Sequence, residues 1–285
     1  MTSGAMAASL SFSGDSLAAH FSDIPVSDAP VGRFAPTPAQ QAVIEFSRKL
    51  GFGNGFIRNF GALTLMKLRR APIDYDYAGL TLRFYPARCG SARHMLLSPA
   101  WSEPKERAFI IEKTPADGVF LDLGVNVGFY LFYVAAKRPR ATVVGFEPAP
   151  EYHALVSFNI AQNNLANAFV MKAALSDKAG VATFNLDGQS LVYGSGGVEV
   201  ETIPLFDALR ARGLDRVDCM KIDIEGVEDR ALMPFFRSAP RSLWPKAMII
   251  EDSRHLWGED VLAFMTANGY REAWRTKLNV ALTLA

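Results

Sequence analysis

Val119-Phe-Leu-Asp122-Leu-Gly124-Val-Asn126-Val-Gly128-Phe-Tyr130 is the stretch whose reading decides the fold. A short apolar run, Val119–Leu121, ends at Asp122; Gly124, Asn126 and Gly128 then alternate with small apolar residues before a helical pattern begins. That order predicts a buried parallel strand, a tight turn, and a helix whose N-terminus faces a ligand. Glycine permits the sharp turn and a close approach of the bound molecule.

Outward from this stretch, apolar strands alternate with helical segments. Downstream, Phe129–Lys137 reads as a helix, Thr142–Phe146 as a strand, Glu151–Asn163 as a helix and Ala168–Ala174 as a strand. Val181–Leu186 and Val198–Ile203 read as a strand pair around a Gly/Ser-rich loop. Leu205–Arg212 (helix), Val217–Ile224 (strand), Glu228–Phe236 (helix), Ala247–Glu251 (strand) and Asp260–Asn268 (helix) follow, with two closing strands expected in Tyr270–Leu284. Such alternation implies an α/β fold with a doubly wound, mostly parallel sheet. Ligands of such sheets bind outside the carboxyl ends of the strands, near the point where strand order reverses, which gathers Asp122, Glu147, Ala174 and Asp223 around one crevice.

Upstream the pattern is mixed. Residues 1–37 are rich in Ser, Ala, Gly and Pro and carry three Asp and one Arg, which predicts a mobile tail. Residues 38–117 read as an α+β cap: a helix from Pro38 to the stop at Gly51, a helix over Phe56–Arg70, a hairpin over Ile73–Pro86 turning at Ala78-Gly79, and a helix over Trp101–Lys113. Arg58, Lys67, Arg69 and Arg70 make a basic helical face, read either as solvated surface or as contact for an anionic acceptor. Residues 118–285 make the ligand-binding domain.

The chain has 285 residues, 49% of them hydrophobic, enough to bury a core without disulfides or metals. Thirty basic against 29 acidic residues argue against a broad nucleic-acid surface. No run approaches the ~18 apolar residues of a membrane span. No charged n-region precedes an apolar block near the start, and the two cysteines, Cys89 and Cys219, are far apart. These features lead to an expectation of a cytoplasmic protein.

Two further motifs complete the crevice. Glu147 closes the strand Val143–Phe146, followed by Pro148, and a carboxylate there can accept hydrogen bonds from ribose 2′- and 3′-hydroxyls. The Gly-x-Gly-x-x-Gly fingerprint of dinucleotide sites is absent, so the diol points to a simpler adenosine-bearing ligand. Asp122 suits the ammonium of an amino-acid-like ligand end, with the glycines leaving room for its carboxylate and ribose. In Lys221-Ile-Asp-Ile-Glu-Gly-Val-Glu228, the charged Lys221, Asp223 and Glu225 share one face if the strand continues that far. They read as a catalytic or acceptor-orienting cluster, or as a structural ion pair of Lys221 with one of the acids.

In these motifs the chain resembles the FkbM-type family of S-adenosylmethionine-dependent methyltransferases, over about Gly118–Tyr270. The carriers are Leu121–Tyr130, Phe146-Glu147-Pro148, Asn159-x-x-x-Asn163, Ala174-Leu175-Ser-Asp177, Lys221–Glu228 and Ile250-Glu251. One departure is Val125, where the family usually has alanine. The resemblance implies a class I methyltransferase (Rossmann-like) sheet with a reversed C-terminal strand. It implies S-adenosyl-L-methionine as cofactor, with Asp122, Gly124, Asn126 and Gly128 around the methionine portion, Glu147 and Pro148 at the ribose, and Ala174 and Leu175 beside adenine. It also implies O-methylation of a hydroxyl on a small molecule, sugar or glycan.

An aliphatic hydroxyl is a poor nucleophile, so a nearby base is expected: Asp223, then Glu225, with Glu251 and His255 behind them. Asp223, Glu225 and Glu251 are also potential Mg²⁺ ligands, but no third-ligand pattern marks a metal site and none is expected. The acceptor pocket should draw on the cap, the loop Gln189–Gly197 and Ser253–Trp257. Competing readings are methylation of RNA or protein by the same fold, and a cofactor-binding non-enzyme.

Overall fold

The computed structural model describes residues 26–50, 55–68, 72–86, 90–185, 190–192 and 198–285. In chain order, the cap comprises α1 (Pro38–Leu50), α2 (Gly55–Leu68), β1 (Ile73–Tyr77), β2 (Leu80–Phe84), α3 (Gly90–Leu97) and α4 (Pro104–Lys113). Then come β3 (Val119–Leu123), α5 (Phe129–Lys137), β4 (Thr142–Phe146), α6 (Pro150–Gln162), β5 (Ala168–Met171), β6 (Ala174–Leu175), β7 (Gly180–Asn185), β8 (Ser190–Val192) and β9 (Val198–Ile203). The chain closes with α7 (Leu205–Ala211), β10 (Cys219–Ile222), α8 (Glu228–Ser238), β11 (Ala247–Glu251), α9 (Val261–Ala267), β12 (Tyr270–Arg275) and β13 (Asn279–Leu284).

Seven strands form the main sheet in the order β12-β13-β11-β10-β3-β4-β5. β11, β10, β3, β4 and β5 run parallel, while β13 runs antiparallel to both β11 and β12. This is the class I methyltransferase sheet with its reversed closing strand. The chain leaves β3 toward β4 on one side and returns to β10 on the other, so the crevice opens beyond the carboxyl end of β3. Alternate residues of β3 serve opposite layers: Phe120 packs with Val143, Ile249 and the cap, whereas Leu121 and Leu123 pack with Leu232, Met248 and Val261. A second sheet, β6-β9-β7-β8, flanks the adenine side expected from the sequence.

The cap shares a core with the sheet: Ile44, Leu65, Tyr77 and Leu96 lie in the same buried cluster as Phe120 and Val143. Its hairpin turns through Ala78 (φ 58°) and Gly79 (φ 92°), two positive-φ residues that match strand twist. Asn159 of α6 and Asn163, which caps its C-terminus one turn later, act as a surrogate strand for β2. Asn159 Oδ1 accepts from Arg83 N (2.8 Å) while its Nδ2 donates to Arg83 O (3.2 Å). Asn163 does the same with Thr81, at 3.0 and 2.9 Å.

Four expectations need correction. The tail is not mobile as far as residue 37, because residues 26–37 are bound to the hairpin through Ser27, Ala29, Pro30, Gly32 and Phe34; residues 1–25 lie outside the described residues. Ala168–Ala174 is not one strand: it breaks at Lys172-Ala173 so that β5 joins the main sheet and β6 the small one. The strand expected to reach Ile224 ends at Ile222. Helix α3 was not anticipated, having a short and weakly periodic sequence. Arg69, Arg70, Cys89 and most of the loop Gln189–Gly197 lie outside the described residues.

Candidate active site

Beyond β3 the backbone turns through three left-handed residues, Gly124 (φ 90°), Asn126 (φ 51°) and Gly128 (φ 91°). The amides of Gly124 and Val125 both donate to Phe146 O at 3.1 Å, which ties the turn to the end of β4. The glycines are required by the protein's own packing. A Cβ at Gly124 would lie 1.8 Å from the Asp223 carbonyl oxygen, and one at Gly128 would lie 2.3 Å from the Phe132 ring. The space beside their α-carbons is therefore taken by Asp223, just past β10, and by Phe132 of α5. Val125, the departure from the family pattern, is accommodated by Gly145, where a Cβ would meet its Cγ2 at 2.3 Å.

The turn borders a cavity of about 480 Å³, ordinary for a small-molecule site. Glu147, Pro148, Ala174 and Leu175 line one end, and Asp223 and Glu225 line the cavity on the β10 side. Glu147 is almost fully buried, and its two carboxylate oxygens accept from Asn126 N (2.6 Å) and Ala149 N (2.9 Å). Burial raises its pKa to about 7 against the lowering effect of those two amides. Each carboxylate oxygen can accept a second hydrogen bond, the acceptor set a vicinal diol needs.

Gly124 and Asn126 also line the cavity, but Asp122, Gly128 and His255 do not. Asp122 is 1% exposed and its Oδ2 accepts Leu131 N at 2.9 Å, so it pins the first turn of α5 to the sheet. Burial raises its pKa to about 7, with Lys221 and the Leu131 amide opposing. His255 stands exposed on the turn after β11.

Lys221, Asp223 and Glu225 do not share a strand face, because β10 stops at Ile222 and Glu225 takes φ 59°. The ion-pair reading is nonetheless realised: Lys221 Nζ lies 3.3 Å from Asp223 Oδ2 and 3.3 Å from Asn279 Oδ1. Lys221 is fully buried. Burial alone would lower its pKa, but Asp223, Glu103 and Asp122 together raise it. Glu225 is raised to about 7 by burial and then by Asp223 and Glu228, and Glu251 likewise by burial and Asp223. Among the described residues no group of three His, Cys, Asp or Glu side chains is placed to hold a metal, and no helix is long and apolar enough to cross a membrane.

The cap contributes lining residues that sequence reading missed: Ser91, His94, Ser98, Trp101 and Glu103. Pro104 at the start of α4 was the available signal, since proline favours the first helical turn and would have set Glu103 at the helix boundary. No local pattern places that boundary beside β10.

The Methyltransferase FkbM domain model matches residues 122–272, more than half of the chain. The chain belongs to the FkbM methyltransferase family. Among its relatives, methyltransferase sdnD of Sordaria araneosa is 28% identical over 43% of this chain and 62% of that protein. The 31-O-demethyl-FK506 methyltransferase FkbM of Streptomyces tacrolimicus is 30% identical over 43% of this chain and 60% of that protein. The chain thus spans about 60% of the length of these curated relatives. Similar solved structures include an O-methyltransferase from Bacillus cereus in complex with SAH, at 12% identity and TM-score 0.42 over 63% of this chain and 78% of that one. M. jannaschii TYW2 in complex with AdoMet is 12% identical, with TM-score 0.40 over 76% and 88%.

Proposed function

We propose that the protein transfers the methyl group of S-adenosyl-L-methionine to a hydroxyl oxygen of a small molecule, sugar or glycan. The observation that carries this reading is Glu147: a buried carboxylate lining the cavity, held by two backbone amides, beside the glycine turn and on the same cavity as Asp223 and Glu225. Family membership supports methyl transfer, and the name of one relative, the 31-O-demethyl-FK506 methyltransferase, supports oxygen as the acceptor atom.

When bound, the cofactor supplies an electrophilic methyl carbon on a sulfonium that leaves as a neutral thioether. Glu147 would hold the ribose diol, the backbone around Ala174 and Leu175 would flank adenine, and the Gly124–Val127 turn would hold the middle of the molecule. Alignment of acceptor oxygen with methyl carbon supplies most of the rate gain. Asp223 or Glu225 takes the proton the hydroxyl loses. A pKa near 7 suits Glu225 to that task, since it is ionised in a useful fraction near neutral pH yet basic enough to accept a proton. Lys221 positions Asp223.

Titration calorimetry with S-adenosylhomocysteine on the wild type and Glu147→Ala tests the reading. Loss of the diol contact should weaken binding by about 1–3 kcal/mol. Equal affinity in the two proteins would remove Glu147 from the site. Mass spectrometry of a panel of hydroxyl, amine and carboxyl acceptors incubated with the cofactor should then find methyl ethers.

A further inference from the structure

We propose that Glu103, a cap residue, supplies the negative charge that receives the ammonium end of S-adenosylmethionine. This rests on the cofactor reading of the cavity. The acid expected from the sequence to do this, Asp122, does not line the cavity and is hydrogen-bonded to the Leu131 amide. Glu147, Ala174 and Leu175 define the nucleoside side, toward β4 and β6. The amino-acid end therefore lies across the Gly124–Val127 turn, toward β10, where Glu103, Asp223 and Glu225 line the cavity. Asp223 is in direct contact with the Lys221 ammonium at 3.3 Å, whereas Glu103 acts on that ammonium through space only. Glu225 is the group whose carboxyl titrates near neutrality.

Glu103 is fixed rather than mobile. Its Oε2 accepts the Tyr130 hydroxyl at 2.5 Å and its Oε1 accepts Asn279 Nδ2 at 3.4 Å, so it touches both α5 and β13. Its backbone is left-handed (φ 46°, ψ 52°), a conformation unfavourable for a residue with a Cβ and more so ahead of proline. That strain does not serve helix capping, because the side chain makes no cap hydrogen bond to α4. What the strained conformation achieves is delivery of a carboxylate from the cap into the crevice.

The test compares two ligands: S-adenosylhomocysteine and 5′-methylthioadenosine, the same nucleoside thioether without the amino-acid end. Calorimetry on the wild type, Glu103→Gln and Tyr130→Phe should show Glu103→Gln weakening S-adenosylhomocysteine on the order of 10- to 100-fold, as for lost hydrogen bonds to a charged group. Methylthioadenosine should change less than about twofold. Tyr130→Phe removes the hydroxyl that fixes Glu103 while keeping its charge, and should give a smaller loss confined to the same ligand. Equal loss of both ligands, or unchanged S-adenosylhomocysteine affinity in Glu103→Gln, overturns the proposal. A wild type that binds neither ligand overturns the cofactor reading itself, and this proposal with it.

Discussion

Arg83 in the cap hairpin and Lys221 at the end of β10 are both about 1% exposed, and each faces an aspartate. Their surroundings differ in one respect that separates scaffold from site. All five N–H donors of Arg83 are used: Nε and Nη2 on Asp74 (2.8 and 3.0 Å), Nη1 on the carbonyls of Ser27 and Ala29, and Nη2 again on Pro30 O. The guanidinium also lies between the rings of Phe34 (4.6 Å) and Phe158 (4.5 Å). Asp74 is saturated in turn, its Oδ2 accepting the amides of Gly32 and Phe34. The pair closes the N-terminal segment, the hairpin and α6 onto one another and presents nothing to solvent. Lys221, by contrast, is paired with an aspartate whose side chain is 41% exposed and lines the cavity. A buried cation whose partner is also buried holds structure together. One whose partner faces a cavity sets the charge and direction of a group that meets a ligand.

The largest effect should come from Arg83→Ala, which leaves the Asp74 carboxylate buried without its cation. Loss of one partner of such a pair costs about 3–5 kcal/mol, a fall on the order of 10 °C in melting temperature. Thermal denaturation measures this, and S-adenosylhomocysteine affinity of the folded fraction should be retained. A variant melting like the wild type would erase the scaffold side of the contrast.

Lys221→Met should behave in the opposite sense. Asp223 can rehydrate through the cavity, so stability should change by about 1 kcal/mol or less, while kcat drops roughly 100-fold as a misaligned group would predict. Steady-state kinetics beside a melting curve reads both. Large destabilisation with unaltered kcat would make Lys221 a second Arg83.

The smallest effect concerns pH. Because the Glu225 carboxyl is raised to about 7, it is protonated below that value and ionised above it, so kcat should increase as pH rises through about 7. Glu225→Gln should remove that limb and lower the plateau about tenfold or more. A limb that survives the substitution belongs to a group other than Glu225. Stability moves the other way. Asp122, Glu147, Glu225 and Glu251 all have folded-state values of about 7, above the unfolded carboxyl range near 4. Their contribution is full below that range and is lost as pH rises toward and through 7.

Most of the sheet was readable because its signals are local. Val119–Leu123, Phe129–Lys137, Thr142–Phe146 and Ala247–Glu251 are apolar runs set off by turn residues, and each forms at its expected limits. Glu147 was legible as a cavity-facing residue because the carboxyl end of a parallel strand faces the crevice whatever the rest of the chain does, whereas Pro148 and Leu175 came from the family resemblance. Asp122 was harder to read. Being a strand-end acid does not say whether the carboxylate turns outward or, as here, inward to the Leu131 amide. Lys221, Asp223 and Glu225 followed strand spacing in the sequence, but Asp223 and Glu225 are positioned by a turn that starts two residues earlier than expected.

By itself, the sequence determined the order of strands and helices, the glycine turn and the acid at the end of β4, all of which depend on neighbours within a few residues. Tertiary structure decided the rest. Only folding places Asp223's carbonyl against Gly124, so that the glycine is required by the turn after β10. Only folding turns residues 26–34 into carbonyl and amide partners for a buried Arg83–Asp74 pair. And only folding brings Glu103 of the cap to Tyr130 of α5 and Asn279 of β13, 176 residues away from it in the chain. Periodicity reports which face of an element is buried, whereas the partner of a long-range contact is fixed by how the layers pack.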